Sequence, residues 1–237
     1  MMLINGRLGQ RYDEWRKDHP KEQLIRQGLV CENIYTSAKP RIVLLGREVN
    51  ANGNPDFDFL GFLRRELEKG NKGENFKMSA KQAGLWAYGI MTGFQEDYHQ
   101  LDHNYNAALG LKSIGWTNFS KIAGSGKANL AQVKEIACIQ SSLWKDELKI
   151  MNPEVILCSG TGTHGLMATL LGPRQETLLC NIKQRREIKY SKWNLGSHEC
   201  LCVDFFHHAD RRGYETLYEI LKEVFTQFEE RNLCTWK

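Results

Sequence analysis

The chain has 237 residues, enough for one α/β domain with decorations. A hydrophobic fraction of 41% supports a buried core, and a charged fraction of 25% is ordinary for a globular protein in water. The net charge of +4 permits nucleic-acid binding without demanding it, and no apolar run approaches the ~18 residues that a bilayer crossing needs. Met1 to Gln10 lacks the apolar stretch and small-residue cleavage site of a secretory signal, so a cytoplasmic protein with no membrane contact is expected. Seven cysteines, odd in number and widely spaced, argue against a disulfide framework and read as reduced, mostly buried thiols.

In chain order, Arg11 to Gly28 reads as helical with an interruption at Pro20, and residues 1–37 as a helical extension on a core of residues 38–237. Ile42 to Leu45 is a short apolar run followed by a loop from Asn50 to Asp58. Ser79 to Gln100 reads as a helix loosened by Gly84, Gly89 and Gly93. A weaker strand ends in Ile114 to Asn118. Leu130, Val133, Ile136, Ala137 and Leu143 then mark one helix face, stopped by Asn152-Pro153. Val155 to Cys158 and Leu201 to Phe206 are further apolar strands. Between them Lys183, Arg185, Arg186, Lys189 and Lys192 face a single acid, Glu187, which reads as a solvated surface hairpin or a phosphate contact. Leu217, Ile220, Leu221, Val224, Phe225 and Phe228 give a final amphipathic helix. Apolar strands alternating with helices predict an α/β fold with a parallel sheet in one domain.

Ligands of an open parallel sheet sit at the C-terminal ends of its strands. Those ends carry Gly46-Arg47-Glu48-Val49-Asn50, then Asn118-Phe119-Ser120-Lys121, Ser159-Gly160-Thr161-Gly162-Thr163-His164-Gly165 and His207-His208-Ala209-Asp210-Arg211-Arg212. A carboxylate, amides, paired histidines and arginines thus converge on one edge, and a buried core explains none of them well. Adjacent residues leaving a strand point in opposite directions, so one of His207 and His208 is expected to be catalytic and the other structural.

Pro40 to Asn50 resembles the first motif of the uracil-DNA glycosylase superfamily, a strand ending in Gly before a loop that holds the water-activating acid. Phe205 to Gly213 resembles its His-centred second motif, Trp116 to Ile122 the strand that presents an Asn to the flipped base, and Asn152 to Gly160 the third strand. The resemblance spans about Pro40 to Lys222. It implies a three-layer α/β/α sandwich around a four-stranded parallel sheet, and a DNA glycosylase that acts on a flipped-out pyrimidine and leaves an abasic site. Glu48 would orient water and stabilise positive charge on the sugar. His207, or His208 beside it, would donate to the pyrimidine O2. Asn118 would read the base edge, with Phe57 or Phe59 stacked on the ring. Lys121, Ser159, Arg211 and Arg212 would contact DNA.

Departures from the family pattern are Val49 for Pro in the first loop and His208-Ala209 for Pro-Ser in the second. Asn50 stands where some members carry a Tyr that rejects a substituted C5, and so leaves room there. A polar loop, Asn50 to Asp56, could hydrogen-bond a sugar. The sequence is therefore similar to the branch that removes α-glucosyl-hydroxymethylcytosine from phage DNA, an anti-phage defence, with uracil repair as the alternative. Members with an iron–sulfur cluster use cysteines that this chain lacks, so no cofactor is expected, and a monomer acting on DNA without an obligate protein partner is.

Four other readings arise. Gly160 to Gly165 matches G-x-G-x-x-G and would make an NADP-binding oxidoreductase, although the next strand candidate, Thr177 to Lys183, ends in bases instead of an acid. A sensor of modified DNA would keep the pocket without the chemistry. Gly124-Ser125-Gly126-Lys127 fails as a P-loop, because Lys121 occupies the first glycine position and Ala128 follows the lysine. His198, Cys200, Cys202, His207 and His208 lack zinc-site spacing, so no metal is expected.

Overall fold

The computed structural model describes residues 3–124, 129–171, 176–180, 186–195 and 198–234. In chain order the elements are α1 (Ile4–Asp18), β1 (Gly28–Leu29), α2 (Glu32–Ser37), β2 (Ile42–Gly46), β3 (Val49–Asn50), α3 (Phe59–Asn71), α4 (Met78–Thr92), a 3-10 turn (Tyr98–Gln100), α5 (His103–Lys112), β4 (Ile114–Asn118), β5 (Ala123–Gly124), α6 (Leu130–Ile139), α7 (Ser141–Met151), β6 (Val155–Ser159), α8 (Thr163–Leu171), β7 (Glu176–Cys180), β8 (Arg186–Asn194), β9 (Glu199–Phe205) and α9 (Tyr214–Glu230). No helix among the described residues is long and apolar enough to cross a membrane.

Among the described residues the main sheet has seven strands in the order β1-β4-β2-β6-β9-β8-β7. Its centre, β4-β2-β6-β9, is parallel throughout and consists of the apolar runs visible in the sequence. The expected four-stranded sheet is thus extended by antiparallel edges, β1 on one side and β8 and β7 on the other. The expected surface hairpin corresponds to the antiparallel pair β7 and β8, in which Lys189 and Lys192 are exposed while Ile188, Tyr190 and Trp193 are buried, so one face of the segment joins the core. Lys183 and Arg185 lie outside the described residues.

Strand alternation splits the core in two. Ile42, Leu44, Trp116, Leu157 and Val203 face one apolar cluster with residues of α3, α4, α5 and α9. Val43, Leu45, Ile156, Cys158 and Cys202 face another with residues of α1, α6, α7 and α8. Helices therefore cover both faces. The glycines of α4 do not loosen it. A Cβ on Gly84 would lie 2.0 Å from Ala107 O, and one on Gly110 would lie 1.9 Å from Gly84 O, so α4 and α5 cross backbone against backbone.

The N-terminal helix begins earlier than its sequence suggests and ends at Asp18, before Pro20 can deny it a donor. Residues beyond it run extended, with Ile25 N donating to Lys121 O at 2.7 Å, and then form the edge strand β1. The helix expected from Leu130 onward is broken at Gln140, whose side chain accepts from Lys121 N at 2.9 Å and donates to Glu22 at 3.1 Å.

These contacts surround a buried polar cluster. The Lys121 ammonium bonds to the Glu147 carboxylate and, at 3.0 Å, to Gln27 Oε1. Thr117 Oγ1 donates to Glu147 at 2.7 Å, and Tyr12 donates to the other Glu147 oxygen at 2.5 Å. Asn118 N donates to Gln27 Oε1 at 2.6 Å. The cluster ties α1, α7 and the end of β4 together. Removing one partner leaves the other charge buried and alone. Lys121→Met is expected to destabilise the protein by about 3–5 kcal/mol in urea unfolding, and Lys121→Met/Glu147→Met by less than the sum of the two single variants. Equal stabilities for Lys121→Met and the parent protein would show the pair to be dispensable.

Candidate active site

The C-terminal ends of the four parallel strands form one continuous edge. Register pairs Gly46 with Asn118, Leu45 with Cys158, and Ser159 with Phe205. The first loop is zipped to the β4 loop beyond the strands. Phe119 N donates to Gly46 O at 3.1 Å and Ser120 N to Arg47 O at 2.9 Å, after which β3 pairs with β5.

Three candidate side chains each rest on a glycine. A Cβ on Gly46 would fall 2.1 Å from Asn118 Oδ1. One on Gly124 would fall 2.4 Å from the Glu48 carboxyl, and one on Gly160 would fall 3.1 Å from the His207 ring. Asn118 is buried, and its side-chain amide has no hydrogen-bond partner among the described residues. Glu48 is half-buried, and that burial pushes its carboxyl up, with the Arg47 charge opposing.

The histidines do not diverge as strand geometry would require. Their ring centroids lie 4.1 Å apart at 30°. The cause is that β9 ends at Phe205 and the chain turns, with Asp210 N donating to His207 O at 2.8 Å. Ala209 N donates to His207 Nδ1 at 3.2 Å, so Nδ1 is an acceptor and the neutral ring carries its proton on Nε2. Burial and then the Arg47 charge hold His207 below the usual imidazole range, with Asp210 opposing. His208 is pushed further down by burial, His207 and Arg47. Its ring packs edge-on against Trp116 at 4.7 Å and is held by Ser159 Oγ, 2.8 Å from Nδ1. Ser159 Oγ also accepts from His208 N at 3.1 Å. His207 therefore offers the free donor, and His208 is the fixed neighbour.

Three sequence expectations need correction. Lys121 is fully buried on Glu147 and presents no charge to DNA. Ser159 is also fully buried and serves His208 instead of a phosphate. Phe59 packs edge-on against Trp116 in the core, 5.5 Å between centroids, so its faces are not open to a base. Phe57 is half-buried and lines a cavity of about 340 Å³ with Arg16, Arg26 and Arg64, which none of the strand-end groups reaches. A larger cavity, about 490 Å³ between Trp144 and Trp193, is equally remote from them. Asn50 is exposed on β3, and Arg211 and Arg212 are exposed beyond β9, with the Arg212 guanidinium 4.4 Å above the Phe206 ring. Trp116 escaped sequence reading, although it stands two residues before Asn118, where strand alternation puts both on one face.

The glycine-rich turn after β6 is already filled. His207 covers Gly160, and a Cβ on Gly162 would meet Leu130 at 2.8 Å, so neither glycine faces open space where a pyrophosphate could approach. Ser125 to Ala128 of the basic loop lie outside the described residues. Among the described residues no group of three or more His, Cys, Asp and Glu side chains is arranged to hold a metal ion. No protein-family model matches the chain, and no curated protein sequence matches it either.

Burial also holds the interior His164 down, to about 4, with Lys189 adding to the effect. A histidine whose folded pKa lies below its unfolded value of ~6.5 binds fewer protons folded than unfolded. The stability it contributes is complete at higher pH and is lost as pH falls through that interval. Unfolding midpoints are expected to drop steadily from about pH 7 to pH 4, and His208→Asn or His164→Asn should flatten the decline. A pH-independent midpoint in the parent protein would contradict the depressed histidines.

Proposed function

We propose that the protein is a DNA glycosylase of the uracil-DNA glycosylase type, which hydrolyses the N-glycosidic bond of a flipped-out pyrimidine. One observation carries this reading: a carboxylate, an amide and a neutral imidazole donor are delivered by three parallel strands to one edge, each seated on a glycine. Helices on both faces of a parallel centre fit the sandwich expected of that superfamily.

The residue chemistry suits a dissociative reaction. As the bond from C1′ to the base breaks, both electrons go to the base and positive charge grows on the sugar. Glu48, ionised, faces that charge and orients water, which adds to C1′ and gives up its proton to the carboxylate. His207 Nε2–H meets the negative charge growing on the pyrimidine O2, and a neutral ring suffices because the donor is fixed in advance. The Asn118 amide pairs with the base edge. Arg211 and Arg212 hold backbone phosphates at the rim. The short, exposed Asn50 leaves space beside C5, which favours a C5-modified cytosine such as α-glucosyl-hydroxymethylcytosine as the base.

Alkali cleavage of DNAs carrying uracil, a thymine mismatch, hydroxymethylcytosine or α-glucosyl-hydroxymethylcytosine tests the reading with no added cofactor. Abasic sites are expected first in the glucosylated DNA. Excision of uracil alone would reassign the protein to uracil repair, and silence on every DNA would end the glycosylase reading. Glu48→Gln and His207→Ala should each slow excision by about 10²–10⁴-fold. Activity should fall on acidification with an apparent pKa above the ordinary glutamate value, because Glu48 must be ionised.

Gly124→Ala offers a subtler check, since it alters no reacting group. Its methyl group would displace the mobile end of Glu48, so melting should stay close to the parent while excision falls at least about tenfold. Parent-like activity in this variant would remove Glu48 from the site.

A further inference from the structure

Fixing His208 also decides which of its nitrogens carries the proton. Ser159 is the last residue of β6, and its Oγ has three polar neighbours: His208 N at 3.1 Å, His208 Nδ1 at 2.8 Å and Phe206 O at 3.4 Å. The backbone N–H can only donate, so Oγ accepts there. The single hydroxyl proton then goes to Nδ1 or to Phe206 O. A separation of 2.8 Å is ordinary for an O–H donor, whereas 3.4 Å lies beyond the usual range of ~2.5–3.0 Å. The hydroxyl therefore donates to Nδ1, and the neutral His208 ring carries its own proton on Nε2. His207 reaches the same state by another route, since its Nδ1 accepts from Ala209 N. It sits over Gly160, the residue after Ser159. Two consecutive residues thus seat the two rings, one through a hydroxyl and one through a missing side chain. The rings lie 4.1 Å apart at 30°, and each Nε2 is without a hydrogen-bond partner among the described residues and is not sealed from solvent.

We propose that Ser159 is a positioning residue that holds His208 in its Nε2–H tautomer, so that the paired imidazoles present two donors and no acceptor to the leaving base. The proposal rests on the glycosylase reading and adds a second donor to that same site. In the opposite tautomer His208 Nε2 would carry a lone pair, which repels the negative charge growing on the base, whereas an N–H there stabilises it. Two donors without an acceptor also suit a carbonyl oxygen and turn away an amino group, which points to the pyrimidine O2 as the atom addressed. Neither ring gives up its proton, so the bonds made and broken are those of the hydrolysis above. His208 is braced on its other side by the edge-on contact with Trp116 at 4.7 Å, which leaves the tautomer to the hydroxyl.

The first test needs neither a variant nor activity. Long-range proton–nitrogen NMR spectra of the ¹⁵N-labelled parent protein at neutral pH should show both rings protonated on Nε2 alone. A His208 protonated on Nδ1 would overturn the proposal. In Ser159→Ala the His207 pattern should persist while His208 becomes a mixture of tautomers. Single-turnover excision, on whichever DNA of the panel is cut, then links the tautomer to the reaction. The limiting rate should fall by about tenfold in Ser159→Ala and about 10²-fold in His208→Phe, with half-saturation unchanged. Removing the hydroxyl from His208→Phe should cost nothing further, because Ser159 acts through the imidazole. An equal loss in both backgrounds would overturn the proposal, as would a lower melting temperature with tautomers and limiting rate unchanged, the mark of a purely structural serine. A parent protein that cuts none of the DNAs overturns the glycosylase reading and with it the base as target, an outcome distinct from an active parent with the wrong His208 tautomer.

Discussion

A single buried ion pair organises the end of the sheet where the chemistry-bearing residues gather. Lys121 and Glu147 are both withdrawn from water, and each is satisfied by several partners. Such a pair adds little net stability compared with a well-packed apolar core, but it tolerates only one arrangement of its neighbours. Those neighbours are the first helix through Tyr12, the extended segment through Gln27, the break between α6 and α7 through Gln140, and the last residues of β4 through Thr117 and Asn118. The N-terminal segment is therefore part of the frame that sets the height and direction of Asn118.

Charge is distributed unevenly along the edge that this frame supports. One carboxylate, one guanidinium and two imidazoles share a small region, and burial drives the carboxyl and the imidazoles toward their uncharged forms. Arg47 alone has no neutral form within reach. With Glu48 ionised, the carboxylate and the guanidinium offset each other, and the neutral imidazoles add no charge of their own.

Much of the frame was legible in the sequence because it rests on runs of residues. The central strands are uninterrupted apolar stretches, and α9 repeats its apolar face over four turns. The residues at the strand ends could be named for the same reason, since the strands announce where they stop. What misled is what depends on distant partners. Lys121 looks like a loop cation until Glu147, 26 residues away, is placed on it. Ser159 looks like a surface hydroxyl until His208 arrives from another strand. The two histidines looked divergent because strand alternation was extended past Phe205, where the strand ends, to residues two and three positions beyond it. The break at Gln140 was hidden because it serves a side chain in another loop, and local periodicity carries no trace of it.

The glycines under Asn118, Glu48 and His207 extend this point. Each marks a volume that one of these side chains occupies or borders, so part of the candidate site is written as missing atoms. Such information is invisible to any search for reactive residue types, because the residue that matters carries no chemistry of its own. It also makes the site fragile in an unusual direction. A chain of this kind can keep every acid, amide and imidazole, fold normally and still lose its geometry by gaining a single methyl group. At Gly46 and Gly124 an added methyl group would displace the side chain above while leaving every acid, amide and imidazole in the sequence.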